Sequence, residues 1–160
     1  MATFAEHIAT IDGFAARAPL GAEAAANAMA DVFKPAVQSV LLARRHGFAT
    51  KTPSAPGEPP AAISGRLPGS MMNEPAIPIG GDAFLAKSGP TTRYSRIQEL
   101  GGWMQGHPLM HWHEDGVAHW SECHSLPPRP YMRPTLSALV DDDGLISAAA
   151  GAFAAVVYGP

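Results

Sequence analysis

Cysteine is almost absent from this chain: Cys123 is the only one in 160 residues. A single thiol excludes an intrachain disulfide framework, and a chain without one suits a reducing cytoplasm. Charge is scarce too. Charged residues make up 16% of the sequence, with a net charge of −3, where about a quarter is usual. That balance supplies no electrostatic basis for gripping nucleic acid or a membrane surface. It leaves a mostly neutral surface, of the kind a subunit buries against copies of itself. The first fourteen residues lack both a basic region and an apolar stretch, so they do not read as a signal peptide. The longest apolar-looking run, 145–158, is too short and too rich in alanine to span a bilayer. A soluble protein made in a cytoplasm is expected. The apolar fraction is nevertheless 46%, and a chain of this length can bury roughly 70% of its unfolded surface as one ordinary domain over 1–160.

The apolar pattern places the elements. Phe4, Ile8, Ile11 and Phe14 recur at three and four and predict a helix over 3–17. Ala18-Pro19-Leu20-Gly21 is expected to break it. A longer helix is expected over 22–46, with Met29, Val32, Phe33, Val37, Val40 and Leu41 on one side. Arg44, Arg45 and His46 would occupy its last turn, with Gly47 as cap and a kink or break at Pro35. Residues 47–70 hold five prolines and four glycines, which exclude a helix or a central strand and leave an extended arm. In an oligomer such an arm commonly reaches over a neighbour.

Residues 71–126 read as antiparallel strands with a short helix near 94–100. Met71–Ile79 and Ala83–Lys87 flank a turn at Gly80-Gly81-Asp82. Asp115-Gly116 is a strong hairpin signal; as a two-residue loop it pairs Glu114 with Val117, Trp112 with His119 and His111 with Trp120. C-terminal helices are expected over 132–157, with Pro134 tolerated in the first turn and a break at Asp141-Asp142-Asp143-Gly144.

The histidines invite a catalytic reading. His107, His111, His113, His119 and His124 lie close in sequence to Cys123. His111 and His113 share a strand face, and Glu122 as a diagonal neighbour could complete a two-histidine, one-carboxylate set for a metal-dependent hydrolase. Against this, the same register sends His119 to the other face, and the spacing matches no compact zinc motif. Cys123 and His124 are consecutive on a strand and point apart. Asp141–Asp143 lacks the alternating spacing of a calcium cage. No nucleophile, base and orienter assemble, so no catalytic residue, metal or cofactor is expected.

Three segments in order carry a resemblance. The first is Pro56-Gly57-Glu58-Pro59-Pro60 followed by Ser64-Gly65-Arg66-Leu67-Pro68-Gly69-Ser70-Met71. The second is Tyr94-Ser95-Arg96-Ile97-Gln98-Glu99-Leu100-Gly101-Gly102. The third is His124-Ser125-Leu126-Pro127-Pro128-Arg129-Pro130-Tyr131-Met132-Arg133-Pro134-Thr135-Leu136. Together they resemble the neck or tail-completion family of long-tailed bacteriophages, over about residues 22–158. Ser64 stands where that family more often has threonine, which keeps the hydroxyl. The resemblance implies an α+β fold in which a small antiparallel sheet packs against a long N-terminal helix and a C-terminal helix. It also implies a non-enzymatic virion protein, a homo-oligomeric ring, usually a hexamer, at the head–tail joint. Its partners would be itself and the neighbouring neck and tail proteins, with the genome passing through its channel unbound. The adjacent tail terminator or a head-closure protein is the alternative within that class. The motif residues implied are Gly65, Arg66, Leu67, Ser70, Tyr94, Glu99, Gly101, Pro128, Arg129, Pro130, Tyr131 and Pro134. Two prolines stiffen the backbone around Arg129, so its guanidinium suits a carboxylate partner, and Glu99 is the candidate.

Overall fold

The computed structural model describes the backbone of residues 3–45, 54–114 and 117–159, and the side chains of those residues apart from 104–124. In chain order the elements are α1 (Phe4–Leu42), α2 (Arg66–Gly69), β1 (Met71–Gly80), β2 (Ala83–Pro90), α3 (Ser95–Leu100), β3 (Gly102–Glu114), β4 (Val117–Leu126), α4 (Met132–Asp141) and α5 (Gly144–Val157). The class is α+β as expected. A long N-terminal helix and C-terminal helices accompany two separate two-stranded sheets, β1–β2 and β3–β4. Among the described residues, no helix is long and apolar enough to cross a membrane.

The two expected N-terminal helices are one helix of 39 residues. Thr3 and Glu6 start it as a reciprocal cap. The Thr3 amide donates to the Glu6 carboxylate and the Glu6 amide donates to Thr3 Oγ1 at 3.3 Å. The helix passes through both Pro19 and Pro35. Each proline removes its own backbone donor and crowds the carbonyl four residues back, yet the rest of the ladder carries the helix through. Gly21, expected to be part of a break, instead permits a close helix–helix approach. A Cβ there would lie 2.7 Å from Val157 Cγ2 and 2.8 Å from Phe153 Cδ2 on α5. The helix also ends earlier than expected, at Leu42. Arg44 then pairs with Glu58, and Arg45 forms an isolated parallel bridge with Ala62. The expected cap at His46 and Gly47 lies outside the described residues.

The chain divides into two compact units. Unit 1 comprises Met1–Lys34, Asn73–Ser88 and Ala138–Pro160; unit 2 comprises Pro35–Met72 and Gly89–Ser137. Unit 1 has a thin core of small residues, with Ala26, Ala30 and Ala76 buried beside Leu145 and Val157. Asn27 Oδ1 on α1 accepts the Ala76 amide of β1 at 2.8 Å, and Asn73 Nδ2 donates to Asp31 Oδ1 at 2.8 Å. At the end of α5, Tyr158 meets Phe14 edge-to-face at 5.1 Å, and Arg17 donates to the Gly159 carbonyl at 3.1 Å.

Among the described residues, the largest fully buried side chains, Tyr131, Leu41 and Val37, lie in unit 2. Its described arm, 54–70, is fastened to its own unit. The Ala62 amide donates to the Arg44 carbonyl at 2.9 Å, and Gln38 Nε2 donates to the Pro68 carbonyl at 2.9 Å. The exclusion of any helix from 47–70 also fails, because Arg66–Gly69 make one turn. Gly65 supplies the positive φ of 72° that opens it, and Ser70 Oγ closes it on the Leu67 carbonyl.

The β3–β4 ribbon has the expected register: Glu114 opposite Val117, Trp112 opposite His119, His111 opposite Trp120. Further from the tip the pairing shifts between Gln105 and Met110, an irregularity that increases local twist. The expected Asp115-Gly116 loop lies outside the described residues.

Candidate functional site

The residues singled out by sequence converge in unit 2, where they fasten three remote stretches of chain together. Helix α4 begins at Met132, and the first four amides of a helix have no partner within it. Here those are Tyr131, Met132, Arg133 and residue 134. Glu99 Oε2 accepts the Tyr131 amide at 2.7 Å and the Met132 amide at 3.0 Å, while Glu99 Oε1 accepts the Arg133 amide at 3.0 Å. Residue 134 is proline and has no amide to satisfy. One carboxylate and one proline therefore complete the helix start, and the negative charge sits at the positive end of the helix dipole. Thr135, buried in the same turn, donates through Oγ1 to the Tyr131 carbonyl at 2.7 Å.

The expected Arg129–Glu99 ion pair does not form. Glu99 is engaged by the three amides, which lie in fixed directions and reward a carboxylate more reliably than one flexible guanidinium. Arg129 turns instead to the arm, donating through Nη2 to the Ser54 carbonyl at 3.1 Å, and its amide donates to the Gln98 carbonyl at 2.7 Å. Pro128 accepts the Gly57 amide at 2.9 Å through its carbonyl. The stiff 128–130 segment thus joins the arm on one side to α3 on the other.

Tyr131 sits at the centre, 1% exposed. Its hydroxyl donates to the Ser95 carbonyl at 3.3 Å. Burial, then the nearby Glu99 charge and Tyr94, push its pKa up to about 12. Gly101 ends α3 with φ of 69°, and a Cβ there would lie 2.7 Å from the Pro128 nitrogen and 2.9 Å from the Leu126 carbonyl oxygen. Only glycine meets both demands. Leu67 is buried, and the Ser70 carbonyl accepts the Thr91 amide at 3.0 Å. Gly65, Arg66, Tyr94 and Gln98 border a groove of about 240 Å³ along the 60–68 segment. Pro130 is half-buried, whereas Pro134 and Arg66 are exposed.

Sequence reasoning missed Ser54 and gave Ser95 and Gln98 no role of their own within the second segment. Each contributes a backbone carbonyl, and nothing in a residue's identity marks which carbonyl will be used. The chemistry of the joint is that of a fastening. The Glu99 carboxylate is engaged by amides, and the Tyr131 hydroxyl is buried and keeps its proton. Among the described residues, no group of three or more His, Cys, Asp and Glu side chains could hold a metal ion. The side chains of His107, His111, His113, His119, Glu122, Cys123 and His124 lie outside the described residues. Comparison with known proteins finds no matching family model, curated protein or solved structure.

Proposed function

We propose that the chain is a structural subunit of the neck of a long-tailed bacteriophage, forming a homo-oligomeric ring at the head–tail joint. In this reading it is not an enzyme. It contacts copies of itself and adjoining neck and tail proteins, and the genome passes without specific binding. The observation that carries the reading is the convergence of its three motif segments. The arm, the Tyr94–Gly102 turn and the 128–134 entry to α4 are far apart in sequence, yet they are tied through Glu99, Arg129 and Gly57. A carboxylate and a tyrosine engaged in backbone hydrogen bonds, rather than free for substrate, suit a rigid assembly part.

The surface supports the same reading. Phe4 is 81% exposed and Trp103 72% exposed, with Ile11, Leu20, Ile77, Ile79 and Ile146 exposed as well. Of these, Phe4 and Ile11 fall with the exposed Ile8 on one stripe of α1, and a contiguous exposed apolar stripe suits a surface that a partner covers. The test is quantitative mass spectrometry of purified virions. The chain should be present at a fixed low copy number per particle, with its mutant lysates accumulating unjoined heads and tails. Absence from intact particles would refute the reading.

A further inference from the structure

The two units carry opposite charge. Unit 1 contains nine acidic and three basic residues, a net of −6, whereas unit 2 contains five acidic and eight basic, a net of +3. The modest net charge of the whole chain hides this separation. In unit 2, Arg66, Arg93, Arg96 and Arg133 are exposed, and their side chains make no hydrogen bond or ion pair among the described residues. Arg93 and Arg96 precede Leu100 and Trp103 along one short stretch, and both of these apolar residues are also exposed. Arginine and tryptophan are among the residue types that carry most of the binding energy at protein interfaces.

Unit 1 presents the complement. Every residue of α1 from Phe4 to Asp12 is exposed. Phe4, Ile8 and Ile11 fall on one helical stripe, with His7 along one flank and Asp12 along the other. An apolar stripe on a helix calls for a cover, and these turns lie in water.

We propose that the first three turns of α1 in one copy dock on the Arg93–Arg96–Leu100–Trp103 surface of a second copy of this chain. Charge complementarity selects the occupant: the acidic unit of one molecule meets the basic unit of the next. Phe4, Ile8 and Ile11 pack on Leu100 and Trp103, and Asp12 faces the arginines. Such a contact is heterologous, since donor and acceptor are different surfaces, so each copy has one of each to offer. Repetition of a heterologous contact generates rings or filaments rather than closed dimers. The inference rests on the assembly reading above and names the surface that would carry it. The docked helix end is short, which places the contact at the small end of interface sizes and makes self-association depend on concentration.

The test uses two charge-reversed full-length variants, His7→Lys/Asp12→Lys and Arg93→Glu/Arg96→Glu, with mass measured by sedimentation up to about millimolar protein, where even weak contacts register. Wild type should associate, and each variant alone should associate about tenfold or more weakly, because like charges then face each other. An equimolar mixture should recover wild-type association, since each broken surface finds its complement on the other variant. A monomeric wild type, variants that associate like wild type, or a mixture that fails to recover would each overturn the proposal. Circular dichroism confirms that both variants fold. Mass spectrometry of virions separates this proposal from the reading it rests on. Wild type found in particles whose variants assemble normally leaves the neck role standing and removes this surface. Self-association that follows the charge rule in a chain absent from virions does the reverse.

Discussion

Replacement of Glu99 removes a carboxylate that accepts three backbone amides at once. Glu99→Ala leaves the Tyr131, Met132 and Arg133 amides without the carboxylate they share, at distances of 2.7–3.0 Å in the native protein. Loss of a helix cap costs roughly 0.5–2 kcal/mol, and a charge at a partly buried helix start adds about 0.3–2 kcal/mol. Water reaches this half-buried site and recovers part of the loss, so the expected destabilisation is about 2–3 kcal/mol. For a chain of this size each kcal/mol lowers the melting temperature by roughly 2–4 °C, which predicts a drop of about 4–12 °C. Glu99→Gln should fall between, because the amide oxygen still accepts while its NH2 group faces a backbone donor. The assays are urea denaturation and native-state hydrogen exchange. Exchange at 131–133 should accelerate selectively, ahead of amides further along α4. A melting temperature within about a degree of wild type, together with unchanged exchange at 131–133, would show that Glu99 does not hold the start of α4. Glu58→Gln is the matched control: Arg44, then the Ala55 amide, hold the Glu58 carboxyl below its usual range, but the pair is exposed and should shift the midpoint little.

Gly21→Ala should destabilise by about 1–3 kcal/mol through overpacking against Phe153 and Val157, while Gly13→Ala, with open space around it on the same helix, should stabilise by about 0.5–1 kcal/mol; opposite shifts in denaturation midpoint check the pair. Gly101→Ala combines a left-handed backbone with contact on Pro128 and should cost about 2–4 kcal/mol, measured the same way. Tyr131 governs stability in alkali. An unfolded tyrosine ionises near pH 10 while the folded one holds its proton to about 12, so the contribution is full below pH 10 and is lost as the pH rises from 10 to 12. The slope approaches about 1.4 kcal/mol per pH unit. Tyr131→Phe should abolish that slope; an identical alkaline profile in the variant would count against the buried neutral hydroxyl. If His111, His113 and Glu122 bound zinc, purified protein would carry it stoichiometrically and His111→Ala would lose it; the structural reading expects neither.

What could be read from the sequence alone was local. Pairing of Trp112 with His119 follows from a two-residue loop, because strand register is set by chain geometry within a few residues of the turn. The break between α4 and α5 at Asp141–Gly144 follows likewise from residues that are poor inside helices. Long-range decisions were not available in that way. Pro19 and Gly21 carry the local signature of a helix break, yet α1 continues through them and α5 uses the glycine as a seat for Phe153 and Val157. Arg129 and Glu99 have matching charges, but the amides of α4 reach the carboxylate and a distant carbonyl takes the guanidinium. The distribution of charge was hidden for the same reason. Acidic and basic residues are interspersed along the chain and sum to −3, and only folding sorts them into an acidic and a basic unit. Propensity, turn chemistry and register act over a few bonds, whereas packing partners and surface fields depend on which remote segments meet.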